Sequence, residues 1–154
     1  MTSTVTTIRS ADEARSLIGV DLRPSDWLEV TAERIAAFAD ATGDHQWIHL
    51  DPVRAAAGPF GKPIAHGFLT LSLLPVLTPQ IVRFDGFGMV VNYGTDRVRF
   101  PAPVPVGSRV RGTGRIESVT EVPGGIQVVM AVVIEIENNS KPACVVTSVS
   151  RYYL

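Results

Sequence analysis

The pattern of hydrophobic positions changes character near residue 86. Beyond it the chain reads as β structure in four stretches, GMVVNYGTDRVRF (88–100), SRVRGTGRIESVTEV (108–122), GIQVVMAVVIEIE (126–138) and ACVVTSVSRYYL (143–154). PAPVPVG, PGG and NNSKP separate them, and the last two are short enough to close hairpins, which makes the sheet antiparallel. Before residue 86 the period is helical. In AERIAAFADAT, Ile35, Phe38 and Ala39 share one face, Thr31 stands where a cap is needed and Gly43 where the helix must stop. AHGFLTLSLLPVL, from Ala65, is apolar on nearly every side, the pattern of a helix in the middle of a core, and Pro75 should end or kink it.

Weaker signals fill the gaps. DWLEV (26–30) reads as a strand, and Ser10 to Leu17 as a short helix in an otherwise polar lead-in of residues 1–25. Residues 44–63, interrupted by Pro52, Gly58, Pro59, Gly61 and Pro63, read as mostly irregular, with a turn or two of helix at DPVRAAAG. The elements predict an α+β fold, a single antiparallel sheet wrapped around one long buried helix. With no repeat, low-complexity segment or linker, residues 1–154 form one domain. The open edges of such a sheet favour a homodimer.

Composition narrows the function classes. At 154 residues, 45% apolar and 19% charged, the chain is globular and can build its own core. A net charge of -1 leaves no global field to attract nucleic acid or an anionic membrane. The longest apolar stretch, Ile64 to Leu77, is interrupted by His66, Thr70, Ser72 and Pro75 and is too short to span a bilayer. The N-terminus has no apolar core of a signal peptide, and the single cysteine cannot form an internal disulfide, so a reducing cytoplasm is expected. Cys144, in PACVVTSV, reads as a small buried hydrophobe.

TGDHQWIHLD (42–51) holds the candidate chemistry. Asp44 and His49 could not share a helical face, since five residues turn about 140°. In a tight loop they could converge on one water and move protons on and off oxygen near neutral pH. The alternative is that Asp44 caps a turn and His49 is a core histidine. Asp44, His45, His49, Asp51 and His66 would suffice as metal ligands, but their spacing matches no metal framework, and no metal is expected. His45 and Asp51 should face solvent. A second element is His66-Gly67, where the buried helix starts without a capping side chain. Free N–H groups beside a glycine make an oxyanion hole, or the glycine merely permits close packing. Arg97, Arg99, Arg109 and Arg111 alternate along strands, either as a solvated face or to receive the phosphates of an acyl carrier. There is no Gly-x-Ser-x-Gly elbow and no phosphate-binding glycine loop.

Three segments, FADATGDHQWIHLD (38–51), PFGKPIAHGFL (59–69) and NYGTDRVRFPAPVPVG (92–107), together resemble the MaoC-like dehydratases, the (R)-specific enoyl-CoA hydratase group of the hot-dog superfamily. Gly43, Asp44 and His49 keep the family's G-D-x-N-P-hydrophobic-H pattern, while Gln46 and Trp47 replace its Asn and Pro, a variant similar to the NodN-like branch. The resemblance implies a hot-dog fold and an acyl thioester, of CoA or of an acyl-carrier protein, lying between the subunits of a homodimer. It implies Asp44 as general base, His49 orienting the water and assisting proton delivery, and the Gly67 N–H polarising the thioester carbonyl. Substrate contacts are expected at Trp47, His66, Arg97 and Arg99, with Trp47 shaping entry. No cofactor or metal is implied, because the substrate carries CoA. A hot-dog thioesterase, or a non-catalytic acyl-thioester-binding subunit of a heterodimeric dehydratase, would share the fold and the ligand.

Overall fold

The computed structural model describes residues 4–154. The elements run β1 (Thr6–Ile8), α1 (Ala11–Ser16), β2 (Leu28–Glu29), α2 (Ala32–Thr42), α3 (Trp47–Leu50), α4 (Pro52–Ala56), α5 (Gly67–Leu71), α6 (Leu74–Ile81), β3 (Val82–Phe84), β4 (Met89–Arg99), β5 (Arg109–Val122), β6 (Gly125–Ile136) and β7 (Cys144–Tyr153). The four long strands lie within two residues of their expected bounds. With β2 they form one antiparallel sheet in the order β2-β5-β6-β7-β4.

Gly124 turns the corner between β5 and β6 at φ 80°, a left-handed conformation that glycine adopts without strain. Along β6 the alternation is complete: Ile126, Val128, Met130, Val132, Ile134 and Ile136 are all buried. That inner face packs with Leu69, Leu73 and Leu77 of the apolar helical run in one core. At Gly112 of β5 a Cβ would stand 3.1 Å from Ile81 and 3.4 Å from Leu77, so the missing side chain lets α6 close on the sheet. Register shifts in β4, between Asn92 and Gly94 and between Thr95 and Arg97, add bends that help curl the sheet.

Several expectations are corrected. The long buried helix is two short ones: the Leu73 N–H turns back to the Thr70 carbonyl (3.1 Å), and the Ser72 hydroxyl donates to the Phe68 carbonyl (2.7 Å). The interruption expected near Pro75 falls just ahead of it, at Ser72–Leu73, and Pro75 itself lies in the first turn of α6, where its missing N–H has no intrahelical acceptor to lose. Nor is the run buried all round, since Phe68 is 70% exposed. The lead-in is structural: β1 pairs in parallel with β3, adding a second small sheet, and Ile8 and Ala14 are fully buried. DWLEV contracts to a two-residue strand pairing only with Arg109 and Val110. Residues 44–63 hold α3 as well as the helical turn foreseen at α4.

At the other edge of the sheet, β4 leaves Met89, Val90, Val91 and Tyr93 exposed. Among the described residues no helix is long and apolar enough to cross a membrane. Cys144 is fully buried, and burial pushes its thiol up to about 11. Only the thiolate attacks, so at pH 8 roughly one thiol in a thousand would be ionised. Native protein should therefore be inert to Ellman's reagent at pH 8 and should release its single equivalent only in denaturant. Prompt labelling of the native chain would contradict this burial.

Candidate active site

Local chemistry sets the bounds of α2. Thr31 Oγ1 accepts from the Arg34 N–H (3.2 Å), and Gly43, at φ 81°, closes the helix by donating to the Ala39 carbonyl (2.8 Å). Asp44 follows in the loop, its Oδ1 accepting loosely from the Gln46 N–H at 3.4 Å and its side chain 52% exposed. His49, on the single turn of α3, points inward with a side chain only 6% exposed. Because Asp44 lies outside α3, the helical angle between the two does not apply. The chain bends at His45–Gln46 and brings Asp44 Oδ2 to 4.0 Å from His49 Nε2. That gap is too long for a direct hydrogen bond and suits one water about 2.8 Å from each atom.

His49 Nδ1 lies 2.7 Å from the Ile64 carbonyl oxygen. A carbonyl only accepts, so Nδ1 carries a proton, and the neutral ring presents its Nε2 lone pair towards Asp44. His66 is 3% exposed and lies behind the pair. Its Nε2 donates to the Asp44 carbonyl (2.9 Å), and its ring stacks on His49 at 3.8 Å and 25° and tilts against Phe38 at 4.9 Å. His66 Nδ1 is the one buried side-chain polar atom without a partner among the described residues.

Asp44, His49 and His66 bring one donor atom each within 4.8 Å of one another. An imidazole lone pair lies in the ring plane, however, and two rings only 25° from parallel do not aim at a common ion. The trio suits proton chemistry better than coordination. His45 and Asp51 stand apart from it. His45 is exposed, and its hydrogen bond to Asp40 (2.9 Å), followed by one to the Gly43 backbone carbonyl, raises its pKa above the usual histidine value. Asp51 caps α4, accepting from the Arg54 N–H at 2.9 Å.

Gly67 opens α5 without a side-chain cap, and its N–H has no backbone acceptor among the described residues. A Cβ here would approach the Phe100 ring to 2.8 Å, so the glycine also makes room for packing. Trp47 is half-buried, with the Arg54 guanidinium 4.4 Å above its ring and the backbone of Gly58 close against it. It fastens α3 to α4 and the turn that follows. Val98 packs on the core, so Arg97 and Arg99 project from the opposite face of β4 and do not converge with Asp44 and His49 within one copy. The Ile64 carbonyl, Phe38 and Phe100 complete the site and escaped the sequence reading. An aromatic ending RVRF was the only available hint, because a backbone carbonyl leaves no mark in sequence.

The MaoC like domain matches residues 13–139. The 3-hydroxyacyl-thioester dehydratase Z of Mycobacterium tuberculosis is 50% identical over 147 residues, 95% of this chain and 97% of that protein. Nodulation protein N of Rhizobium meliloti is 47% identical over 137 residues, 87% of this chain and 85% of that one. Among solved structures, the unliganded R-hydratase PhaJ1 of Pseudomonas aeruginosa shares the fold with a TM-score of 0.70 at 21% identity, over 86% of this chain and 81% of that one. The curled sheet around its helices is the hot-dog fold, and the chain belongs to the MaoC-like family, as an enzyme of the hydratase and dehydratase type.

Proposed function

We propose that this enzyme is an (R)-specific 2-enoyl-CoA hydratase that also runs in reverse as a 3-hydroxyacyl-CoA dehydratase. The observation that carries the reading is the 4.0 Å gap between Asp44 Oδ2 and His49 Nε2, with both atoms acceptors. A water in that gap donates one hydrogen to each and turns an oxygen lone pair towards the β-carbon of the substrate. As the C–O bond forms, Asp44 takes one proton from the water and the π electrons move to the thioester oxygen. Asp44 then passes that proton to the α-carbon, assisted by His49, whose Nε2 keeps hold of the new hydroxyl, and the carbonyl re-forms, so one water has been added. The Gly67 N–H is the donor for the thioester oxygen as its charge develops. No cofactor or metal enters the scheme, because the thioester itself acidifies the α-carbon. The name of the 50% identical relative, a 3-hydroxyacyl-thioester dehydratase, supports the substrate class.

The apolar edge of β4 supports a homodimer. Antiparallel pairing of two β4 edges about a two-fold axis would set the Arg99 end of one copy against the Met89 end of the other. There the partner offers a cavity of about 400 Å³, walled by Leu74, Val82, Phe84, Met89, Met130 and Tyr152. It gives an acyl chain an apolar place to lie. A cytoplasmic setting suits a chain with one buried free cysteine.

Hydration of crotonyl-CoA, followed as loss of the conjugated-enone absorbance, tests the activity; a chain inert on both short and long 2-enoyl-CoAs would overturn it. Asp44→Asn and His49→Ala should each lower kcat by about 10² to 10⁴-fold, and Asp44→Asn should leave the melting temperature nearly unchanged. Dialysis against EDTA should leave the rate intact. Release of free CoA thiol would instead indicate a thioesterase, and with Cys144 buried the protein adds no background to that assay. Light scattering should give the mass of two chains, and turnover by this chain alone excludes a non-catalytic subunit.

A further inference from the structure

His66 touches both members of the Asp44–His49 pair from behind. Its Nε2–H holds the Asp44 carbonyl at 2.9 Å, and its ring lies flat on His49 at 3.8 Å. Asp44 has little else to fix it: the carboxylate is half exposed and its contact with the Gln46 N–H is a long 3.4 Å. The His66 bond is the one that ties Asp44 to an element outside its own loop, the start of α5. His49, by contrast, is already anchored at Nδ1 by Ile64, so what it takes from His66 is a plane to rest on.

The cost of this arrangement is visible. Fixing the proton on Nε2 leaves His66 Nδ1 as a buried acceptor without a partner, a state that folded proteins avoid. Were His66 only filler between Phe38 and His49, an apolar ring would serve better. A phenyl ring supplies the stack without the donor, and a glutamine supplies a donor without the stack; histidine combines them.

We propose that His66 is a positioning residue, which sets the distance between the Asp44 carboxylate and His49 Nε2 by holding the backbone of one and the ring face of the other. It acts through the pair. The inference rests on the hydratase reading for its kinetic test and stands apart from it for its structural one.

In the kinetic test, His66→Phe should lower kcat on crotonyl-CoA by roughly 10- to 100-fold, with KM changed less than about threefold, since an acid–base pair out of place loses most of its contribution. The variant should melt within a few degrees of the wild type, because the lost hydrogen bond is offset by removal of the unpaired acceptor. His66→Gln, which keeps a donor, should recover part of the lost rate. A Phe variant within threefold of wild-type kcat, or one whose activity and melting temperature collapse together, would overturn the proposal.

The structural test needs no substrate. Amide hydrogen exchange at His45 and Gln46 should quicken in His66→Phe while the β6 amides keep their protection. Unchanged exchange in the loop would sink the inference even if the wild type proved an active hydratase. A wild type inert on enoyl-CoA with a quickened loop would remove the hydratase reading and leave the positioning role standing.

Discussion

The backbone of Ile64 is the constraint on which the site depends. Its N–H donates to the Ile48 carbonyl (3.0 Å), and its carbonyl accepts from His49 Nδ1 (2.7 Å), so one residue grips α3 twice. On its other flank the Ala65 N–H donates to the Val104 carbonyl, and the Val106 N–H to the Pro63 carbonyl, both at 2.8 Å. Residues 63–65 thus run as a short staple between the helix bearing His49 and the segment leading into β5. Gly67 follows three positions after Ile64, so the imidazole and the Gly67 N–H are set by the same short stretch of backbone. Each such bond contributes about 1 kcal/mol net, but leaving a buried group unpaired costs about 1–3 kcal/mol, and that asymmetry holds the ring in one orientation.

The two acid–base groups are placed in opposite surroundings. The Asp44 side chain is 52% exposed and His49 only 6%. Exposure lets water reach the carboxylate. Burial, with Nδ1 committed to a carbonyl, gives the imidazole a single free nitrogen and a fixed direction. A symmetric arrangement would fail either way: two buried groups would carry the desolvation cost of an unpaired carboxylate, and two exposed ones would lose their aim. The four buried polar residues among those described are Ser25, His49, His66 and Thr70, and two of them belong to this site.

What sequence made legible and what it did not divide along a physical line. The long strands were readable because their signal is local and repeated, β-branched residues between turns such as Pro123-Gly124. The ends of α2 were readable because Thr31 and Gly43 act on backbone within their own turn. Asp44, His49 and Gly67 could be singled out because their residue types carry the chemistry. An interruption near Pro75 was readable, but its exact place was not, because a proline suits a helix start as well as a helix stop, and which applies is decided by the turn around Ser72. The pairing of β1 with β3 joins residues more than seventy positions apart through three residues each, too little pattern to see. Arg54 and Gly58 lie against the Trp47 ring and arrive there only once α4 has formed, so the part this residue plays in joining α3 to α4 left no local mark in the sequence.

The alternating arginines show how far one pattern can diverge in space. Arg109 and Arg111 on β5 face Glu137 and Glu135 across the sheet, with Trp27 beneath both guanidinium groups. Their charges are matched by side chains one strand away or just beyond it, which is the solvated sheet face that alternation usually signals. Arg97 and Arg99 on β4 have the same spacing, but among the described residues neither meets a carboxylate, and Arg99 turns to the carbonyl of its own neighbour Val98 at 2.7 Å. Unmatched guanidinium groups on an edge strand with exposed apolar residues behave differently from matched ones in mid-sheet. No neighbouring carboxylate among the described residues neutralises them, and in a paired sheet they would lie near the junction of two copies. Position in the sheet order, which the one-dimensional repeat does not contain, is what separates a structural pair from one still able to take a ligand.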